Sequence, residues 1–342
     1  MRVQGVDVCF LCGEEGEKLY SHMRDRLFGS PGRWDIRRCS GCGVAWLDPR
    51  PLPEEIEKLY QRYYTHPSSE EPSIRESPLR ETVKRGVLAA SCGYVETAGT
   101  GMQRFTGKML SQVSLIQNIV ASKVMWLDAS RRGRLLDVGS GSGRYLVRMR
   151  DLGWDVAGVE PDPKAARGAR ERFGLEIHGS SLEAAGFSEG AFDAVTMHHV
   201  IEHVPDPIEL LRRSHRVLKP GGTLVVVTPN IESLGRRMFS RSWMPWDPPR
   251  HLLLFSPRAL HKAAELAGFR IERMLSPANE ARDSWYFSYL IRKHEGGLPG
   301  SNIQKQLTYL LRLQGHLFWL FEHLLTKVYQ CGEEVVMIAV KS

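Results

Sequence analysis

The chain has 342 residues, a formal net charge of +7, 42 % hydrophobic and 25 % charged residues, a composition that excludes a disordered or fibrous protein and leaves room for one large domain plus a smaller module. The positive charge is carried by scattered arginines, which favours an acidic small molecule or an anionic surface over a dedicated nucleic-acid groove, so no nucleic-acid partner is expected. Met1 to Cys9 is too short and polar for a signal peptide, and no apolar stretch reaches the roughly 18 residues of a membrane span, so a cytoplasmic location is expected.

Four of the six cysteines form two matched knuckles, Cys9-Phe-Leu-Cys12-Gly13 and Cys39-Ser-Gly-Cys42-Gly43, with 26 residues between the pairs. Two thiolates in such a turn reach one tetrahedral ion, and the glycine after each pair lets backbone amides approach the sulfurs. The expectation is a zinc ribbon over residues 1–52 with one structural Zn²⁺ on Cys9, Cys12, Cys39 and Cys42; a redox dithiol is the competing reading. With four protein ligands the ion has no open position and acts as a staple. Cys92 and Cys331 stand alone.

Residues 53–130 read as a linker and helical extension. Pro53 followed by Glu54 and Glu55 opens a helix with an acidic first turn. THPSSEEPSIRESP is a Ser-, Pro- and Glu-rich linker, and residues 79 to 129 are mostly helical in pattern.

From Arg134 short apolar runs alternate with helical stretches, the signature of a parallel sheet with helices on both faces. Strands are predicted at 134–139, 154–160, 175–178, 192–197, 222–229 and 269–275, with Ser256-Pro257 capping the helix that runs to Gly268. The first strand enters Asp137-Val-Gly139-Ser140-Gly141-Ser-Gly143. The spacing is GxGxG, tighter than the dinucleotide fingerprint, and the carboxylate before it suits a cationic ligand and repels a pyrophosphate. Glu160 ends the second strand about twenty residues on, where a carboxylate accepts ribose hydroxyls.

With these motifs the chain resembles the class I S-adenosylmethionine-dependent methyltransferases over about residues 130 to 276, adding LKPGG (218–222), FDAVTMHHVIEHVPDP (192–207) and VEPDP (159–163) to the glycine turn. The resemblance implies an α/β, doubly wound, seven-stranded Rossmann-like sheet over residues 131–342. It implies that Asp137, Gly139, Ser140, Gly141 and Gly143 line the methionine moiety of S-adenosylmethionine, and that Glu160, with Pro161 beside it, holds the ribose. Ser181 and Leu182 would flank the adenine, and Met197 and His198 follow the fourth strand beside the ligand. The last strand would be 333–341, antiparallel to the sixth, which leaves 277–332 as a helical insertion.

A sulfonium donor leaves as a neutral thioether, so alignment in a dry site supplies much of the acceleration, plus a base where the acceptor must lose a proton. The candidate bases are His198, His199, His203 and His251. His199 and His203 are four apart, a spacing that admits a metal reading for which the sequence offers no third ligand. The whole chain is similar to a bacterial group associated with surface-polysaccharide and lipopolysaccharide pathways, and more distantly to deoxysugar C-methyltransferases with an N-terminal zinc-binding domain. In their HEHxxYFS-like stretch a His removes a proton beside a keto group. Here the stretch is PRHLLLFS: His251 matches the second His, Arg250 stands for the Glu and Pro249 for the first His. The expected function is methyl transfer to a small or lipid-linked acceptor, a sugar first; a quinone or phenol O-methyltransferase and a non-catalytic, cofactor-sensing binding module are the alternatives. Pro248 and Pro249 would fix the backbone so that Arg250 and His251 face the methyl group or an anionic acceptor.

Leu307, Leu310, Leu311, Leu317, Phe318, Phe321, Leu324, Leu325 and Val328 follow helical spacing, and Leu313, Trp319 and Leu320 widen the stripe. Its seat is the core, a second subunit in a homodimer, an acceptor channel, or a peripheral contact of 303–328 with the inner face of the membrane. Lys305, Arg312 and Lys327 would suit anionic headgroups.

Overall fold

The N-terminal strands are short. In the computed structural model, which describes residues 1–59, 78–293 and 309–342, they are β1 (Val3–Gln4), β2 (Glu17–Met23), β3 (Trp34–Arg38), β4 (Ala45–Asp48) and β5 (Arg50–Pro51). β2, β3 and β4 form an antiparallel meander, and β1 pairs with β5. Trp34, Ile36, Trp46 and Leu47 bury their side chains on this small sheet, too little apolar area for a stable module of its own.

The remaining strands are β6 (Arg134–Val138), β7 (Asp155–Val159), β8 (Glu176–His178), β9 (Phe192–His198), β10 (Leu218–Pro229), β11 (Leu253–Leu254), β12 (Phe269–Leu275) and β13 (Glu334–Lys341). Seven of them form one sheet in the order β12-β13-β10-β9-β6-β7-β8, and β6 runs parallel to both β7 and β9. Runs such as LVVV in β10 and VVMIAV in β13 are apolar at successive positions because both faces of the sheet are covered. The strand order reverses at β6, and β13 lies between β12 and β10, beside the sixth strand as expected.

β11 does not join this sheet. It pairs antiparallel with β4, Leu253 opposite Trp46 and Leu254 opposite Ala45, so the ribbon sheet is four-stranded with its last strand drawn from more than 200 residues downstream. The chain divides into two compact units. One consists of Met1–Tyr63, His198–Arg212 and Val226–Ala339, the other of Tyr64–Met197, Arg213–Val225 and Val340–Ser342. The pairing of β11 with β4 falls within the first of them.

Within the second unit, helices Pro78–Cys92 and Gly101–Leu110 cross where Gly86 meets Gly107; a Cβ on Gly107 would lie 2.2 Å from the Gly86 backbone. Of the predicted linker over 65–78, residues 65–77 lie outside the described residues and Pro78 opens the helix Pro78–Cys92. The insertion 277–332 contains helices Ala281–Lys293 and Tyr309–Thr326; Leu307 and the rest of 303–308 also lie outside the description. Helix Tyr309–Thr326 turns Gly315, Phe318 and Glu322 inward and leaves Leu310, Leu313, Leu317, Leu320, Phe321 and Leu324 exposed. Most of the stripe therefore does not dock on the core. No described helix is long and apolar enough to cross a membrane.

Candidate active site

The glycine turn leaves the carboxyl end of β6, the strand at which the sheet order reverses, where doubly wound sheets bind ligands. Two of its glycines do different work. Gly143 has φ +75° and a Cβ there would meet Leu175 Cδ1 at 2.7 Å, so it permits close packing of the helix that follows. Gly141 has φ +50° and open space where a Cβ would be, so its backbone is bare on that side. Gly141 N–H donates to Glu160 Oε2 at 2.8 Å and Asp162 N–H to Oε1 at 2.9 Å, which ties the end of β7 to the turn. Each carboxylate oxygen keeps a further acceptor position.

Asp137 is buried and accepts a hydrogen bond from Thr196 Oγ1 at 2.7 Å. Burial pushes its carboxyl up to about 7, with Glu160 adding to the rise against the Thr196 bond. A fixed cation would reverse that shift. Among the described residues Ser140 Oγ is buried with no hydrogen-bond partner, and the buried Tyr145 hydroxyl lies beside Thr196 and Asp137. Bare backbone, an acid raised by desolvation and the orphaned Ser140 hydroxyl fit the polar, cationic amino-acid end of S-adenosylmethionine. Tyr145 and Thr196 were not read from the sequence, since an aromatic in a first helical turn and a threonine in a strand both look like packing. Leu182 and Met197 are buried, while Pro161 and Ser181 are exposed, Ser181 Oγ accepting from Ala184 N–H.

In the other unit, the chain leaves β9 at His198 and places His199 in the left-handed region at φ +52°, a conformation that costs energy for a non-glycine residue. His199 Nδ1 lies 3.0 Å from Glu202 Oε1 and its Nε2 3.2 Å from Glu334 Oε1. Burial alone would lower its pKa, but the two carboxylates outweigh burial and raise it well above the usual value, so His199 is an imidazolium at neutral pH. Glu202 is fully buried; burial raises its carboxyl, yet His199 brings it down to about 2, and Thr228 Oγ1 donates to its second oxygen at 3.0 Å. His198 is half exposed, with its ring edge-on to His199 at 4.4 Å.

His203 and His251 form a buried pair with ring centroids 4.7 Å apart. His203 Nδ1–H donates to the Arg250 carbonyl at 3.1 Å and His251 Nδ1–H to the Pro245 carbonyl at 2.6 Å. A carbonyl accepts only, so both rings carry the Nδ1 proton, and Nε2 bears the lone pair in the neutral form. Burial, reinforced by His251, lowers His203 to about 4.

Arg250 takes a different place from the one expected. Its side chain is fully buried, donates to Asp25 Oδ2 at 2.8 Å and Oδ1 at 3.0 Å, pairs with Asp247 and stacks over Phe28. It is spent on the ribbon and does not face an acceptor. The adjacent prolines fix a loop whose arginine is a fastener and whose histidine is held by the backbone.

The cysteine sulfurs converge as the spacing predicts. Cys9 and Cys42 are 3.6 Å apart, Cys9 and Cys12 3.6 Å, Cys12 and Cys39 3.3 Å, close to the separation of about 3.7 Å set by four thiolates at about 2.3 Å from one Zn²⁺. Leu11 and Cys42 N–H groups point at Cys9 and Cys39 Sγ, each at 3.4 Å. The four residues fit one tetrahedral ion as a closed structural site.

Residues 114–273 match a family model described as "Methyltransferase domain". A ubiquinone biosynthesis O-methyltransferase of Xanthomonas campestris pv. campestris is 38 % identical over 103 residues, 28 % of this chain and 43 % of that protein. The same-named protein of Ruegeria pomeroyi is 37 % identical over 124 residues, 33 % of this chain and 50 % of that one. The chain thus spans about half the length of the curated relatives it matches. Among solved structures, a SAM-dependent methyltransferase of Thermotoga maritima aligns with 62 % of this chain and 82 % of its own, at 23 % identity and a TM-score of 0.40. An S-adenosylmethionine-dependent methyltransferase of Mesorhizobium loti aligns with 60 % and 90 %, at 16 % identity and a TM-score of 0.40. The glycine turn and β6, the strand at which the sheet order reverses, both lie within the residues that match this family model.

Proposed function

We propose that the chain transfers a methyl group from S-adenosylmethionine to a hydroxyl of a small or lipid-linked acceptor, a sugar of a surface-polysaccharide pathway being the first reading. The observation that carries the donor is the bare Gly141 backbone between Asp137 and Glu160 at the end of β6. When bound, S-adenosylmethionine supplies an electrophilic methyl on a sulfonium whose departure needs no proton. The residues bind and orient it: Asp137 faces the cationic end and Glu160 the ribose. The acceptor's proton falls to His251, whose Nδ1–H is pinned on Pro245 and whose Nε2 bears the lone pair; His199, an imidazolium, serves as a fixed positive charge.

A quinone or phenol hydroxyl is the second reading, favoured by the relatives named ubiquinone biosynthesis O-methyltransferase. The lipid-linked form of either acceptor draws support from helix Tyr309–Thr326. Its exposed leucines and Phe321 are accompanied by Arg312 and His316, with Lys327 just beyond, while Glu322, its one acid, is buried. That surface suits an anionic headgroup layer. The cysteine set would hold structural Zn²⁺.

Calorimetry with S-adenosylhomocysteine tests the donor: wild type binds, and Asp137→Ala weakens binding at least tenfold. Absence of wild-type binding, or unchanged affinity of the variant, removes the reading. Turnover with sugar and phenolic acceptors then separates the two acceptor classes, and His251→Ala abolishes it with donor affinity nearly intact.

A further inference from the structure

We propose that Glu202, His203 and His251 form a second metal site, taking one divalent transition-metal cation separately from the cysteine knuckles. One donor atom from each of the three residues falls within 4.8 Å of the others. Donors bound at about 2.1 Å from a common ion lie roughly 3 to 4 Å apart, so the widest separation must shorten by about 1 to 2 Å, within reach of side-chain rotation, to close the set. All three come from one compact unit: Glu202 and His203 from the 3₁₀ turn Ile201–His203, His251 from the loop before β11.

The surroundings are those of ligating residues. A metal-bound imidazole usually gives its other N–H to a carbonyl or carboxylate, which fixes the ring. His203 and His251 both do this, through Nδ1 to Arg250 O and Pro245 O. A ligating carboxylate is itself usually held by donors, and Glu202 is held on one oxygen by His199 and on the other by Thr228. The neighbouring trio of His198, His199 and Glu334 also gathers donors, but both His199 nitrogens lie against carboxylates, and binding there would break those contacts. His199 instead supports Glu202 from outside.

Two imidazoles and a carboxylate select Zn²⁺, Co²⁺, Fe²⁺ or Mn²⁺ over Mg²⁺ and Ca²⁺, which prefer all-oxygen shells. Three protein ligands leave at least one position open, unlike the closed cysteine set. This inference stands on metal binding alone. If methyl transfer is also correct, an acceptor oxygen on the ion loses its proton more readily, and His251 then acts as ligand in place of base.

The test is Co²⁺ titration of the full-length, zinc-loaded protein, followed by visible absorption and metal analysis. Wild type takes up one further equivalent, with weak d–d bands and no thiolate charge-transfer band, and excess Mg²⁺ does not displace it. His251→Ala and His203→Gln each lose this equivalent while keeping the one zinc that a thiol-blocking mercurial releases, which shows that the cysteine set survives. Failure of wild type to bind Co²⁺ beyond the thiolates, or retention of the second equivalent by both variants, overturns the proposal. Should one variant lose the thiol-bound zinc, the other decides.

Discussion

Arg250 grips Asp25 through two hydrogen bonds of 2.8 and 3.0 Å although the two are 225 positions apart in the chain. Both side chains are fully buried, so the pair fastens the loop between β2 and β3 to the His251 loop. Removing one partner strands a charge in a dry interior. Arg250→Ala should cost about 3–5 kcal/mol in chemical denaturation. The pair also sets an acid limit: burial raises the Asp25 carboxyl, but Arg250 overrides it and holds it down to about 2. A depressed carboxyl contributes stability that is present above its unfolded value of 3.8 and is lost as pH falls towards about 2. Wild-type melting temperature should drop through that window, and the Arg250→Ala profile should be flatter.

Asp137 carries the opposite shift. With its carboxyl at about 7, much of it is protonated at pH 6, and a cationic donor prefers the ionised form. Donor affinity should therefore rise between about pH 5 and 7, then level off, with proton release on binding. Calorimetry in buffers of different ionisation enthalpy reads that release directly, and Asp137→Asn should abolish both it and the pH dependence.

Glu322 is buried to 0 % exposure, neither carboxylate oxygen has a partner at hydrogen-bonding geometry among the described residues, and burial with the nearby Glu333 pushes its carboxyl up to about 10 against the pull of the Glu333, Leu234 and Gly235 backbone. A raised acid destabilises the fold progressively from its unfolded value of 4.5 up to its folded one. Glu322→Gln removes that dependence. The variant should gain on the order of 2 kcal/mol over wild type at pH 8 and little at pH 4, by urea denaturation at each pH.

Leu317 and Phe321 sit on the exposed face of helix Tyr309–Thr326, at 57 % and 55 % exposure, so changing them to glutamate should leave the melting temperature unchanged. Wild type should float with vesicles of anionic phospholipid, and Leu317→Glu/Phe321→Glu should not. No flotation of wild type, with a dimer lost in the same variant, would assign this face to a second subunit.

The sheet was legible because parallel strands covered on both faces leave unbroken apolar runs. Asp137, Gly141 and Glu160 were legible because packing alone does not call for a glycine turn set between two strand-end acids. The cysteine set was legible for a similar reason: four ligands at fixed offsets repeat a local geometry. The pairing of β11 with β4 was not, since two leucines in LLLF carry no mark of the strand they join. Nor did the sequence reveal the charge state of His199, which is fixed by Glu202 together with Glu334, 135 positions away. Arg250 was misread because an arginine beside a candidate base resembles an anion clamp until its buried partners are seen.

Ser256 Oγ donates to the Cys42 carbonyl at 3.0 Å while accepting from Ala259 N–H, so one hydroxyl joins the second knuckle to the start of helix Pro257–Leu266. Together with the pairing of Leu253 and Leu254 to β4, this means that the N-terminal segment is not a detachable tag. Trimming the protein at residue 53 would remove a neighbouring strand from the His251 segment, and grafting residues 1–52 elsewhere would carry a sheet that lacks its fourth member. The two segments thus form one folding neighbourhood despite their distance along the chain.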